Sequence, residues 1–474
     1  MKRKYLSSVI SIAVTLLLVL TVSCGVYFGY SALYDETRSY TVADGETVKV
    51  GVFGDFQLPA SGEDSYQQEK LRKGLQYFRD AEVDVLVNTG DTTDLGTVEA
   101  WESYKRTYKS VFPNKGPILS YAIGNHDYWL GDFFKDFEIP TPAKMQRRFS
   151  KYTGELPYTH KIVNGFHFIT WSSSNGSYDK SYRNLEKMKE QLDSAVASDP
   201  NRPIFVTTHL GGTKTSYCND EWGNDDIFAL LKNYPQVINL SGHVHSALED
   251  ERSMWQGEYT AVNTQATDYI ELESGRYNET IPLNAYGKSM AIDNPVGLII
   301  EVNKIDVTIR RVNLATGEET RAPWIVSTPF NNVDNFLYTD TVRKASNKKP
   351  TFPRVGQLNA SIANEKSIDG KDIKTLTFNS FADDDFVHSY GLQFLDAQDN
   401  VLQLSPTTYN GEAKDGAMWD KMLYFSDFSL GISRMSALTK LRLPPNIPTN
   451  CAKIAISALD SFGLESEQWL IAFN

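Results

Sequence analysis

From Thr47 onward the chain alternates short runs of β-branched and aromatic residues with amphipathic stretches. That pattern predicts strands and helices in turn. Val48-Lys49-Val50-Gly51-Val52-Phe53 reads as a strand, and residues 67–79 as a helix, because Leu71, Leu75 and Phe78 recur on one face. Residues 83–88 read as the next strand, 101–111 have helical spacing, and 118–123 form a third strand. Two further runs, 159–163 and 166–171, pair around Asn164-Gly165, a two-residue hairpin signal. A helix over 185–197, a strand over 203–208, a short helix over 227–233 and a strand over 237–240 follow. Short strands between Tyr259 and about Thr320, including 296–302, complete the sheets. The fold class is α/β.

The pattern then changes. Residues 329–353 are polar and irregular and include Lys348-Lys349-Pro350, the composition of a linker. Beyond them, alternating runs such as 373–378 and 452–458 are separated by turn residues, which predicts a separate all-β domain, a β-sandwich of immunoglobulin or fibronectin type. The main domain is therefore expected at 36–335 and the β-sandwich at 352–474.

Before Thr47 the chain reads differently again. Lys2-Arg3-Lys4 precedes an uncharged stretch from Tyr5 to Tyr34, rich in Leu, Val and Ile. About 20 such residues in a helix cross the hydrocarbon core, and the flanking cations place the N-terminus in the cytoplasm. Residues 1–34 are thus expected to be a retained signal-anchor helix in the cell membrane, with the remainder outside the cytoplasm. The alternative is a lipoprotein signal ending at Leu20-Thr21-Val22-Ser23-Cys24, although Thr21 departs from the aliphatic residue usual there.

Of the 474 residues, 41% are hydrophobic, enough to pack a core, and the net charge is −12. Such a surface repels long polyanions and argues against nucleic acid as a partner. It leaves small phosphorylated substrates open, because bound cations reverse the local field. The three cysteines, Cys24, Cys218 and Cys451, show neither metal-type spacing nor a disulfide framework.

Five polar motifs stand where buried runs end: Asp55-Phe56-Gln57, Gly90-Asp91-Thr92-Thr93-Asp94, Gly124-Asn125-His126-Asp127, Thr208-His209 and Gly242-His243-Val244-His245. The first three are about one strand-helix-strand repeat apart, and in such sheets functional loops gather beyond the carboxyl ends of the strands. Carboxylates, imidazoles and amides together suit a pair of divalent metal ions. Two ions about 3.5–4 Å apart activate a bridging water and clamp phosphoryl oxygens, so metal-assisted hydrolysis of a phosphate ester is the leading reading. Two such cations need a bridging anion, and Asp91 on the Gly90 turn is the natural one. Four of the seven histidines fall in these motifs. His160 and His167 read as ordinary strand residues, and no catalytic role is expected for His388. Tyr128, Trp129, Phe133, Phe134 and Trp222 follow motif residues and either line a substrate pocket or pack the loops; Lys214 reads as a solvated loop cation.

These motifs, in this order, resemble the calcineurin-like metallophosphoesterase family over about residues 47–315. The resemblance implies a two-sheet α/β/β/α sandwich. It implies that Asp55, Gln57, Asp91 and His245 hold one ion and Asp91, Asn125, His209 and His243 the other. His126 is implied as general acid beside the leaving group, with Asp94 orienting its ring and Asn125 also contacting the phosphate. Gln57 stands where the family usually has histidine. A neutral, harder amide ligand favours Mn2+ or Fe2+, with Zn2+ a further option. The expected function is hydrolysis of a small phosphomonoester, phosphodiester or diphosphate by metal-bridged hydroxide. The alternative is a non-catalytic cell-surface protein that binds a partner through the C-terminal sandwich.

Overall fold

The computed structural model describes residues 37–473, apart from 43–44, 46, 132–138, 178–181, 271–294, 304–305, 328–329, 354–357, 367–369, 406–417 and 431–436. The expected membrane segment 1–34, with Cys24, lies outside the described residues, as do Phe133 and Phe134. Among the described residues, no helix is long and apolar enough to cross a membrane.

In chain order the first part contains β1 (Arg38–Tyr40), β2 (Val48–Phe53), α1 (Tyr66–Asp80), β3 (Val85–Asn88), α2 (Val98–Val111), β4 (Ile118–Tyr121) and α3 (Pro142–Thr153). It continues with β5 (Tyr158–Val163), β6 (Phe166–Trp171), α4 (Leu185–Ser198), β7 (Ile204–Thr207), α5 (Asn219–Trp222), α6 (Asp225–Leu231) and β8 (Val237–Ser241). The last strands are β9 (Met254–Gln256), β10 (Thr260–Asn263), β11 (Val296–Val302), β12 (Asp306–Asn313) and β13 (Glu319–Ser327). Local chemistry sets the helix starts. Ser65 accepts the Gln68 N–H before α1 and Thr97 accepts the Ala100 N–H before α2, caps worth about 1 kcal/mol each.

Two mixed sheets result. One runs β13-β12-β11-β2-β3-β4 and the other β1-β5-β6-β7-β8-β10-β9. The β2-β3-β4 and β6-β7-β8 stretches are parallel, so their outgoing loops leave at one edge of each sheet. Val48, Val50, Val52, Val85 and Val87 of the first sheet meet Phe168, Phe205, Ile238, Leu240 and Val262 of the second in one buried layer. The opposite face of the first sheet is covered by α1, α2 and α3, where Leu71, Leu75 and Phe78 pack with Phe53, Trp101 and Phe149. Met188 and Leu192 of α4 and Ile227 and Leu231 of α6 cover the outer face of the second sheet. The layers are α/β/β/α.

The segment expected as an irregular linker carries α7 (Asp340–Ser346), capped by Thr339, and a buried Arg343. The Arg343 guanidinium donates to the carbonyls of Glu251 and Met254 in the preceding domain. A helix of about two turns anchored by a cation shows no sustained apolar period, so the hydrophobic pattern does not reveal it.

The remaining strands are β14 (Ala360–Lys366), β15 (Asp372–Asn379), β16 (Ser389–Leu395), β17 (Val401–Leu402), β18 (Met422–Phe425), β19 (Leu438–Arg442), β20 (Lys453–Leu459) and β21 (Trp469–Ala472). They form two antiparallel sheets, β14-β15-β19 and β17-β16-β20-β21 with β18 on β16. Leu376, Phe378, Tyr390, Leu392, Leu441 and Ile456 make their shared core.

Candidate metal centre

Each motif lies just past a strand end, on the edge where the parallel strands of both sheets finish. Asp55 follows β2, Asp91 follows β3, Asn125 follows β4, His209 follows β7 and His243 follows β8. Backbone bonds tie these loops together: Asp55 N–H donates to Gly90 O at 3.0 Å, Gln57 N–H to Asp91 O at 3.0 Å and Gly242 N–H to His209 O at 3.0 Å. The His243 N–H reaches Asp55 Oδ1 at 3.1 Å, joining loops of the two sheets.

The side chains gather in two adjoining groups. Asp91, His209 and His243 each present a ligand atom, all within 4.8 Å of one another. Asn125 Oδ1 lies 2.9 Å and Asp91 Oδ2 3.1 Å from His209 Nε2. In the second group His245 Nε2 is 3.3 Å from Asp55 Oδ1, with Gln57 beside it in sequence and bonded to the Asp91 backbone. Asp55, Gln57, Asp91, Asn125, His209 and His245 are all buried.

The convergence does not come from strand alternation. Asp55 (φ 53°), Gln57 (φ 48°), Asp91 (φ 48°), His243 (φ 72°) and His245 (φ 50°) all occupy the left-handed region. A non-glycine residue rarely sits there, and such strain persists only where surrounding structure enforces it, commonly at functional sites. The glycines of the motifs make room for these turns. A Cβ on Gly90 (φ 111°) would stand 2.7 Å from His209 Nδ1, and one on Gly124 would collide with the Asp91 backbone nitrogen at 2.6 Å and with its carboxylate.

The electrostatics suit a cation. His209 Nδ1 faces Thr89 O at 2.9 Å, so the proton resides there and Nε2 turns its lone pair toward two oxygens. That arrangement needs a positive charge between them. In its absence burial opposes protonation, yet Asp91 and Asp55 lift His209 to about 9. Burial likewise resists ionisation of Asp91, but His209, His126 and His243 hold its carboxyl well below the usual range. Asp55 Oδ2, Asp91 Oδ2 and His245 Nδ1 are buried with no hydrogen-bond partner among the described residues. Acceptors stranded in this way cost about 1–3 kcal/mol each unless a ligand satisfies them, and a divalent cation fits this donor set.

His126 sits at the rim. Its Nδ1 is 3.0 Å from both Asp94 Oδ1 and Asp94 O, and its ring lies 3.7 Å from that of Trp129. Burial lowers its affinity for a proton, but Asp91 and Asp94 outweigh that and raise it. Trp222 is half-exposed with its ring 6.1 Å from His243, and Tyr269 lies 4.3 Å from His245. Tyr128 is buried and donates to Ser173 O at 2.6 Å, so it packs the loop. The sequence reading gave Asp127 no role of its own. Its carboxylate accepts from Thr93 N–H, Thr93 Oγ1 and Gly124 N–H, clamping two motif loops together. Burial, with Asp91 nearby, pushes it up to about 7. Its place directly after His126 in the motif was the available signal.

The chain is similar to several known proteins. Residues 48–247 match the family model described as calcineurin-like phosphoesterase. A 3',5'-cyclic-nucleotide phosphodiesterase of Nostoc sp. is 27% identical over 191 residues, 38% of this chain and 63% of that protein. A "Probable glycerophosphodiester phosphodiesterase" of Arcobacter nitrofigilis is 26% identical over 172 residues, 34% of this chain and 56% of its own length. The match thus spans under two thirds of either relative. Among solved structures, the Plasmodium inner-membrane-complex anchor GAP50 aligns with 60% of this chain and 88% of its own, at TM-score 0.37 and 16% identity. Residues 48–247 are a calcineurin-like phosphoesterase domain, with a residue group suited to the divalent metal ions on which that family's hydrolysis depends.

Proposed function

We propose that this protein hydrolyses small phosphodiesters with two divalent ions, held by Asp55, Gln57, Asp91 and His245 on one side and by Asp91, Asn125, His209 and His243 on the other. The reading is carried by one observation: five loops from two sheets bring carboxylates, imidazoles and amides together, with Asp55 Oδ2, Asp91 Oδ2 and His245 Nδ1 buried and unsatisfied among the described residues. The phosphodiesterase names of both relatives support a diester over a monoester or diphosphate. When bound, the ions supply an activated water at neutral pH and compensation of phosphoryl charge.

The chain's own residues do the rest. Asp91 stays anionic between the two groups and would offset the repulsion between cations held on either side. Asn125 Nδ2, buried without a hydrogen-bond partner among the described residues, is placed to donate to a phosphoryl oxygen. His126 keeps Nδ1 against Asp94, which leaves Nε2 to carry a proton to the departing oxygen. Gln57, a neutral oxygen ligand, tilts the site toward manganese or iron over zinc. Lys2-Arg3-Lys4 and the uncharged run after it support an enzyme tethered to the membrane and acting outside the cytoplasm.

The test is elemental analysis of the purified protein, combined with hydrolysis of a panel of diesters, monoesters and diphosphates loaded in turn with manganese, iron, zinc and magnesium. Two equivalents of metal and a preference for diesters are expected. Absence of transition-metal uptake under every loading condition overturns the reading.

A further inference from the structure

We propose that His388, from the C-terminal sheets, is a positioning residue for the substrate side of the metal centre, acting through Tyr217 on the loop that carries Trp222. The inference rests on the phosphodiesterase reading for its kinetic consequence, but its structural part stands alone.

The loop over 211–223 leaves the site at His209 and returns through α5, whose last residue, Trp222, is half-exposed with its ring 6.1 Å from His243. Halfway along, Tyr217 is held from two sides. Its N–H donates to Arg252 O at 3.0 Å, and the Arg252 guanidinium lies 3.7 Å from the centre of its ring. The His388 ring meets the same phenol in a T-shaped contact, with ring centres 5.7 Å apart and planes at 90°. Next to Tyr217, Cys218 takes a left-handed backbone (φ 69°), a strained conformation for a non-glycine residue that only its surroundings maintain.

His388 is fixed by its own domain. Its N–H donates to Leu459 O at 2.8 Å, its Nδ1 lies 2.7 Å from Ser389 Oγ, and its ring is 5.0 Å from both Phe425 and Phe428. Its Nε2 faces Asp250 Oδ2 at 3.7 Å, and Asp250 in turn grips Arg252 through two contacts at 3.0 and 2.6 Å. Asp250 and Arg252 lie a few residues beyond His243 and His245 on one continuous segment. The stack His388–Asp250–Arg252–Tyr217 therefore braces the Trp222 loop against the segment bearing two candidate ligands. The wedge comes from the other domain. Trp222 is exposed and is not itself a candidate ligand, so the brace bears on how a substrate group packs beside His243, and not on the metals.

Full-length His388→Ala and Tyr217→Leu, two ways of removing the same contact, are compared with the parent. Hydrogen exchange at residues 211–223 should quicken roughly tenfold in both. KM for bis(p-nitrophenyl) phosphate should rise about five- to tenfold, with kcat and metal content within about twofold of the parent. His388→Phe, which retains an aromatic ring against Tyr217, should restore the loop's protection. Unchanged exchange in both variants overturns the brace, whatever the kinetics. Loss of kcat and metal at constant KM overturns the substrate-side assignment. If His388→Ala fails to fold, Tyr217→Leu decides alone. If no protein, the parent included, cleaves any ester, the phosphodiesterase reading falls while the exchange data still judge the brace.

Discussion

In the proposed site Asp91 is the side chain both groups of ligands would share, and its environment suits a carboxylate. It is buried beside His209, His126 and His243, which together keep it ionised against the penalty of burial. Asp91→Asn preserves shape but removes the charge, and His209 then loses the partner that raises it. That variant is expected to lose most bound metal and nearly all turnover, measured by elemental analysis and diester hydrolysis; normal turnover would refute the bridging role. His126 makes the complementary case. Its contacts with Asp94 and Trp129 hold the ring without involving the buried oxygens. His126→Ala should retain its metals and lose about 10²–10⁴-fold in rate on alkyl esters, whose leaving groups need a proton, with much less lost on p-nitrophenyl esters. Equal losses on both classes would remove the acid assignment.

At the level of strands and loops, much of the fold was legible because the first sheet and its helices carry clean periodicities. The stripe Leu71, Leu75, Phe78 and the hairpin at Asn164-Gly165 appear as expected. The way the site is assembled was not legible in the same manner. Asp55 and Gln57 have period-2 spacing, yet left-handed backbone at both, not extended strand, sets their directions. No residue pattern announces such turns unless glycine occupies them. Helix α3 was missed although Thr141-Pro142, a cap-type residue before proline at the first helical position, offered a start signal. His160 and His167, read as ordinary strand residues, lie on β5 and β6 and also form a buried chain. His160 Nδ1 lies 3.1 Å from Thr37 Oγ1, His160 Nε2 lies 2.8 Å from His167 Nδ1, and His167 Nε2 lies 2.9 Å from Ser198 Oγ. Burial, then His167, lowers His160 to about 4, while burial and Arg202 lower His167. Below the ordinary value of 6.5 the unfolded chain binds protons that the folded chain refuses. Stability from this pair is therefore complete above 6.5 and is lost as pH falls toward 4, with a slope of up to about 1.4 kcal/mol per pH unit for each histidine. Urea unfolding across that window should show the slope, and His160→Gln should flatten it relative to the parent. A parent and variant with parallel profiles would show that the pair does not titrate on unfolding.

Across the whole molecule, charged contacts join the phosphoesterase domain to the C-terminal sheets, among them Arg321 with Asp385 and Asp250 with His388. Glu251 is the hub. Its carboxylate is 2.8 Å from Arg311, 3.5 Å from Arg321 and 3.9 Å from Arg343, and it accepts from Trp324 Nε1 at 2.8 Å. Burial opposes its charge, but Arg311 and its neighbours keep it below the usual carboxylate range. Arg321 carries the network across to Asp385, and Asn347 from the segment after α7 bonds Asp460 at 2.6 Å. Removing one partner from such a network leaves the others buried and uncompensated, which costs far more than the net worth of the pairs. Glu251→Gln keeps the shape while depriving the buried Arg311 guanidinium of its carboxylate, so a loss of about 3–5 kcal/mol is expected in urea unfolding. Asp385→Ala, at the far end, should loosen the C-terminal sheets and expose the segment near α7 to protease while sparing the metal centre. If Glu251→Gln costs less than about 1 kcal/mol, the range of exposed ion pairs, the network is solvated in practice and the two domains are held by something else.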